Sequence, residues 1–124
     1  MQMIETDKAP KAIGPYSQAI KYENLVFISG QIAIDPQTQE FIGGDVETQT
    51  KRVMENIKGI LDELGLNFNH IIKTTIYLKN IEDFPKVNKV YGSYFTDYKP
   101  ARATVEVSNL PKDALVEIEA VVGL

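Results

Sequence analysis

IIKTTIYLKNIEDFPKVNKVY, residues 71–91, holds the pattern that decides the fold. Its first part, 71–78, is β-branched and aromatic enough to form a strand. Asp83 then opens a helix that accepts Pro85 in its first turn, where a missing N–H is no loss. That helix carries Phe84, Val87, Val90, Tyr91, Tyr94 and Phe95 on a broad apolar face. Downstream, strands are expected over 102–107 and 114–122, joined by the loop NLPKD at 109–113. Upstream, Asp45 is a good N-cap for a longer helix. In it Val46, Val53, Met54, Ile57, Ile60, Leu61 and Leu64 recur at helical spacing, and Gly65 closes the last turn. Before it, 16–22 and 25–34 read as strands joined at Glu23-Asn24, since asparagine tolerates the positive φ of a tight turn. Asp35-Pro36 through Gln39 reads as a turn, Phe41-Ile42 as a short strand, Gly43-Gly44 as a flexible turn, and residues 1–15 as an irregular arm. The order is βββαβαββ, which predicts one α+β domain over 1–124 with a single sheet and both helices packed on one face. The other face carries several apolar residues and needs a cover, so an oligomer is expected.

Composition narrows the chemistry. Apolar residues make up 44% and charged residues 24% of the 124, the balance of a globular rather than a disordered chain. No apolar run approaches the ~20 residues that span a bilayer. MQMIETDKAP has acids and a proline where a signal peptide would carry an apolar core, so a cytoplasmic protein without a membrane partner is expected. Thirteen Lys+Arg against seventeen Asp+Glu give a net charge of −4, a poor basis for binding nucleic acid. The chain has no cysteine and one histidine, His70, which removes thiolate chemistry, structural zinc and multi-histidine metal sites. No metal and no cofactor are expected. Arginine occurs only as Arg52 and Arg102.

In KPARATVEV, 99–107, a period of two sets Arg102, Thr104 and Glu106 on one side of the strand. Arg102, flanked by two alanines, is either a surface arginine paired with Glu106 or a planar fork that takes a carboxylate bidentately. In LVEIEAVV, Glu117 and Glu119 share one face and Val116, Ile118 and Ala120 the other. Those carboxylates are either a solvated strand face or include a general base that holds a water. Tyr16 follows Pro15 in IGPYSQA, as a packed aromatic or a site residue. Gly30, after Ser29 in FISGQI, marks a bulge or a close backbone approach by a ligand. Asn88, one turn beyond Phe84, is a helix-edge polar residue or reaches toward a site. Ser29 has no His–Asp pair to activate it, and His70 falls in a helix-to-strand loop.

The strings IGPYSQA (13–19), FISGQI (27–32), QTKRVMENIKGIL (49–61), IIKTTIYLKNIEDFPKVNKVY (71–91), KPARATVEV (99–107) and LPKDALVEIEA (110–120) closely resemble the RidA/YjgF family, in order and over nearly the whole chain. The resemblance implies a chorismate-mutase-like α+β fold with a mixed sheet, assembled as a homotrimer with sites in the clefts between subunits. It implies a 2-iminobutanoate/2-iminopropanoate deaminase, which hydrolyses enamine/imine products of pyridoxal-phosphate dehydratases to 2-keto acids and ammonia. By the same resemblance Arg102 clamps the substrate carboxylate and Glu117 positions the attacking water. Tyr16 then joins them as a catalytic residue, and Ser29, Gly30, Asn88 and Thr104 line the substrate site. Two positions depart from the family pattern. Thr104 stands where many relatives carry cysteine, so a thiol has no role, and Gln39 stands where glycine is usual. The rival reading is a regulatory protein that senses a small carboxylate or a purine-pathway metabolite in the same clefts. RNA cleavage and translation inhibition, also assigned to relatives, fit a chain of this charge least well.

Overall fold

The computed structural model describes residues 1–124. Its elements are β1 (Gln2–Ile4), β2 (Ala19–Tyr22), β3 (Leu25–Gln31), α1 (Val46–Glu63), β4 (Ile71–Leu78), α2 (Phe84–Gly92), β5 (Ala101–Glu106) and β6 (Val116–Gly123). All six strands form one sheet in the order β1-β2-β3-β6-β4-β5. Every neighbouring pair is antiparallel except β4 and β5, which α2 connects as a parallel crossover. The sheet is mixed and the fold is α+β, as expected.

The predicted order βββαβαββ holds, but one of its strands is a different segment. Phe41 makes only an isolated bridge to Ile34, because Gly43 and Gly44 follow at φ 63° and 86° and turn the chain away. The strand that takes its place lies in the supposedly irregular arm. Gln2, Met3 and Ile4 pair with Lys21, Ile20 and Ala19, which buries Ile4. Strand β2 begins at Ala19 rather than residue 16, since Tyr16 N donates to Gly14 O and bends the segment around Pro15. Strand β3 stops at Gln31, and α2 stops at Gly92. Tyr94 and Phe95 still pack inward, with Phe95 4.9 Å from the Tyr91 ring and Tyr94 5.1 Å from Phe68.

The long helix α1 follows its sequence signals. Asp45 accepts from Thr48 N at 2.8 Å. At the other end Leu66 N reaches Leu61 O and Gly65 N reaches Asp62 O, the paired bonds of a Schellman turn, with Gly65 at φ 70°. Val53, Met54, Ile57, Ile60 and Leu61 are wholly buried against Ile76, Leu78, Ile118 and Val122 of the sheet. Each such side chain contributes about 1.5–3 kcal/mol, so this layer supplies the rigidity on which any site depends. Both helices lie on this face. The opposite face is open and carries Phe27 and Val105, exposed by 45% and 43%, beside Lys73, Thr75, Tyr77 and Glu119. No helix is long and apolar enough to cross a membrane.

Candidate functional site

Two groups of side chains stand out, on opposite faces of the sheet. The first is built on the β5 edge. Arg102 pairs in register with buried Thr74 and Thr104 with buried Ile76, so both lie on the helix-covered side. Phe84, Asn88 and Tyr91 recur at helical spacing along α2 and face this edge. The Arg102 guanidinium carbon sits 5.2 Å from the centre of the Phe84 ring and 5.1 Å from that of Tyr91, and Nη1 donates to Asn88 Oδ1 at 2.7 Å. The Tyr91 hydroxyl bonds Thr74 Oγ1 at 2.7 Å, which fixes the ring. Burial pushes the Tyr91 phenol above its ordinary pKa, against the opposing pull of the Thr74 bond. No carboxylate pairs with Arg102; the ion pairs are Lys8–Glu63 and Lys58–Asp62. Glu106, the neighbour that could have neutralised it, instead accepts from Ile81 N at 2.8 Å. Arg102 is thus an oriented cation on an aromatic platform with its remaining donors free, suited to a planar anion. Thr104 Oγ1, beside it, is buried without a hydrogen-bond partner, a state that costs about 1–3 kcal/mol unless something supplies one.

The second group lies on the opposite side, where β3 meets β6. Ile28 pairs with Ala120 and Gln31 with Ile118, three steps along β3 against two along β6, so Ser29 and Gly30 form a bulge. Glu117 lies over it. A Cβ on Gly30 would stand within 2.9 Å of Glu117 Cδ and nearer still to a carboxylate oxygen, so a side chain here would push the carboxylate out of its present position. Glu117, Gly30, Tyr16, Lys11 and Pro10 line one cleft. Burial, and then the Glu119 carboxylate on the same face, raise the Glu117 pKa above that of a free glutamate. Tyr77 is directly opposite Glu117 across the β4–β6 ladder; burial first, and Glu119 second, raise its phenol pKa too. Such a carboxylate is a stronger base than an exposed one, and it sits in a cleft.

Tyr16 is half-exposed and its hydroxyl accepts from Ile13 N at 3.3 Å. Ser29 is a strut rather than a free hydroxyl, since its Oγ donates to Ser17 O at 2.6 Å and its N donates to Gln18 O. The structure therefore gathers Arg102, Asn88 and Thr104 in one place and Glu117, Gly30 and Tyr16 in another, with Ser29 bracing the second. It does not bring Arg102 and Glu117 together within one chain. His70 is spent locally, accepting from Asn67 N to cap a short turn. No group of three or more His, Asp or Glu side chains is arranged as metal ligands would be. The aromatic platform and Tyr77 escaped the sequence reading. The spacing of Phe84, Asn88 and Tyr91 on one helix face was the available signal for the first; Tyr77 had none beyond its strand parity.

The endoribonuclease L-PSP family profile matches residues 6–123. A RutC family protein of Pyrococcus abyssi is 58% identical over 97% of this chain and 94% of its own length. The chloroplastic Reactive Intermediate Deaminase A of Arabidopsis thaliana is 45% identical over 99% of this chain and 66% of its own. Among solved structures, E. coli TdcF with bound serine superposes with a TM-score of 0.95 at 42% identity, covering 100% of this chain and 99% of that one.

Proposed function

The chain belongs to the endoribonuclease L-PSP family, which takes in the Rid and RutC proteins, and from that membership we propose that it hydrolyses 2-iminobutanoate and 2-iminopropanoate to 2-keto acids and ammonia. The observation that carries this reading is the Glu117 carboxylate, half-buried over the Gly30 bulge and made more basic by its surroundings. A small-carboxylate sensor needs an anion clamp but has no use for such a base.

Arg102 takes the substrate carboxylate through two parallel N–H donors, with Asn88 and the Phe84 and Tyr91 rings holding the guanidinium plane. Bound serine in TdcF supports a small amino-acid-like ligand, as does a clamp built on a single arginine. The protonated imine carbon is already electrophilic. Glu117 orients a water against it and takes the proton as the C–O bond forms. It then returns that proton to the nitrogen of the tetrahedral adduct, the C–N bond breaks, and the departing ammonia takes up the adduct's hydroxyl proton as the C=O forms. Water and iminium thus become keto acid and ammonium, with no electron transfer and no group that a metal must supply. A chain with two arginines and a net charge of −4 suits this ligand better than a phosphate backbone.

Because Arg102 and Glu117 lie on opposite faces of the sheet, each protomer offers two half-sites, and a whole site needs two protomers. A contact that joins two different surfaces of the same chain gives a ring where its rotation closes and a filament where it does not, and the closed ring we propose is a homotrimer. It also covers the open sheet face. The test is a coupled assay in which the protein is added, in EDTA, to a threonine dehydratase while imine decay and 2-ketobutyrate release are followed. Faster imine decay, unchanged by the chelator, is expected. Decay at the uncatalysed rate contradicts the proposal, and a rate that collapses in EDTA and returns with a divalent ion contradicts its mechanism.

A further inference from the structure

Residues 35–40 form a turn that is unusually well anchored. Asp35 N bonds Glu40 O, Gln39 N bonds Asp35 O, and the Asp35 carboxylate accepts from Gln37 N at 2.7 Å. Its base is tied to α1, where buried Asn56 donates to Ile32 O and Ile34 O. On this turn Gln39 sits at φ 63°, a left-handed backbone that a residue with a Cβ adopts only against a steric penalty. Its side chain is engaged at both ends. Nε2 donates back to Pro36 O at 2.6 Å, and Oε1 accepts from Lys11 N at 3.0 Å, a residue 28 positions away.

Lys11 belongs to the arm that walls the Glu117 cleft. The arm up to Pro10 is held elsewhere: buried Gln18 accepts from Thr6 N and donates to Thr6 O, Ala9 O and Pro10 O. Beyond Pro10, the Gln39 bond to Lys11 and the longer bond from Ile13 N to the Tyr16 hydroxyl are the ties to other segments before the bend at Gly14. We infer that Gln39 is a positioning residue, a latch that holds the 11–13 segment and through it the Tyr16 hydroxyl against the Glu117 half-site. This rests on the site proposed above. Releasing the latch lets water into the cleft and weakens the burial that makes Glu117 basic. The charged and titratable groups facing Glu117 are Lys11 and Tyr16 from the arm, Tyr77 from β4 and Glu119 from β6; β3 presents Gly30 and Gln31, neither of which titrates.

The intact protein is compared with Gln39→Gly, Gln39→Ala and Gln39→Glu. Glycine removes the backbone penalty along with both hydrogen bonds, while glutamate keeps the acceptor for Lys11 N. Amide exchange at Lys11 and carbon-13 NMR titration of the Glu117 carboxyl need no turnover; KM and kcat for an imine are measured beside them. The glycine and alanine variants should exchange the Lys11 amide about fivefold faster or more. They should also titrate Glu117 at lower pH and raise KM more than they lower kcat, with Tm little changed in the glycine variant. Gln39→Glu should match the parent in Lys11 exchange. Unchanged exchange in the glycine and alanine variants overturns the latch. Faster exchange with an unmoved Glu117 titration and unmoved KM overturns its positioning role. A parent protein that hydrolyses no imine overturns the proposed function instead, and the exchange and titration results then judge the latch alone.

Discussion

Glu117→Gln is expected to leave the fold intact and to slow imine hydrolysis by ~100- to 10,000-fold, the usual contribution of a positioned general base. Glutamine keeps the size of the side chain and a carbonyl acceptor over the Gly30 bulge, so the backbone approach there need not change. Arg102 is on the other face of the sheet, and binding of a 2-keto acid should persist. What is lost is the group that takes the proton from water. The pH profile gives a second signature. A base acts only when deprotonated, and burial together with Glu119 raises the Glu117 pKa, so the parent should lose activity on acidification at a higher pH than a free glutamate would dictate. That limb should be absent from the residual activity of the variant. Glu119→Gln is the necessary companion, because both carboxylates share the strand face. It removes the like charge beside Glu117, so the acid limb should move to lower pH with kcat retained. Normal turnover in Glu117→Gln with failure in Glu119→Gln would place the base two residues along. Normal turnover in both, or a parent that binds keto acids without hydrolysing imines, would favour the sensor.

Arg102→Lys should cost ~10- to 100-fold in kcat/KM although the charge remains, on the basis of one lost charge-assisted bond at ~1.5–3 kcal/mol. The environment sharpens the expectation. The guanidinium carbon sits 5.2 and 5.1 Å from the centres of the Phe84 and Tyr91 rings, and Asn88 Oδ1 accepts from one arm of its planar fork; an ammonium has no such fork to be held. Steady-state kinetics on the imine, with keto-acid binding measured by calorimetry, separates the outcomes. Parallel losses in affinity and kcat/KM are expected, whereas kinetics equal to the parent's would show that the carboxylate is held elsewhere.

What the sequence made legible was local. A period of two placed Glu117 and Glu119 opposite Val116, Ile118 and Ala120, and burial along β6 follows that alternation. The same reading put Arg102, Thr104 and Glu106 on one side of β5, as the pairing with β4 shows. Helix α1, with its Asp45 cap and Gly65 stop, carried its boundaries in residue type. What was hidden depends on partners distant in the chain. Gln2–Ile4 is too short to show alternation, and only pairing with Ala19–Lys21 makes it a strand. Phe84 and Tyr91 have the spacing of any core-facing helix, so nothing local marks them as the platform of an arginine. Period two also says which residues share a face within one strand, never which face of the sheet that is. That Arg102 and Glu117 part company follows from β6 and β5 flanking β4 with different registers and partners. Gln39 was visible as a departure from the family pattern, but its bond to Lys11 was not.

In the proposed ring a working site takes Arg102 from one protomer and Glu117 from another. Its most direct test is to unfold Arg102→Lys and Glu117→Gln proteins together in equal amounts, refold the mixture, and measure imine hydrolysis against each variant refolded alone. In a ring assembled at random, an intact Arg102 faces an intact Glu117 at roughly one site in four. Two nearly inactive preparations should therefore yield about a quarter of the parent's activity, with a sedimentation mass of three protomers. Activity no higher than the mean of the two variants, from rings that have demonstrably mixed, would contradict the shared site.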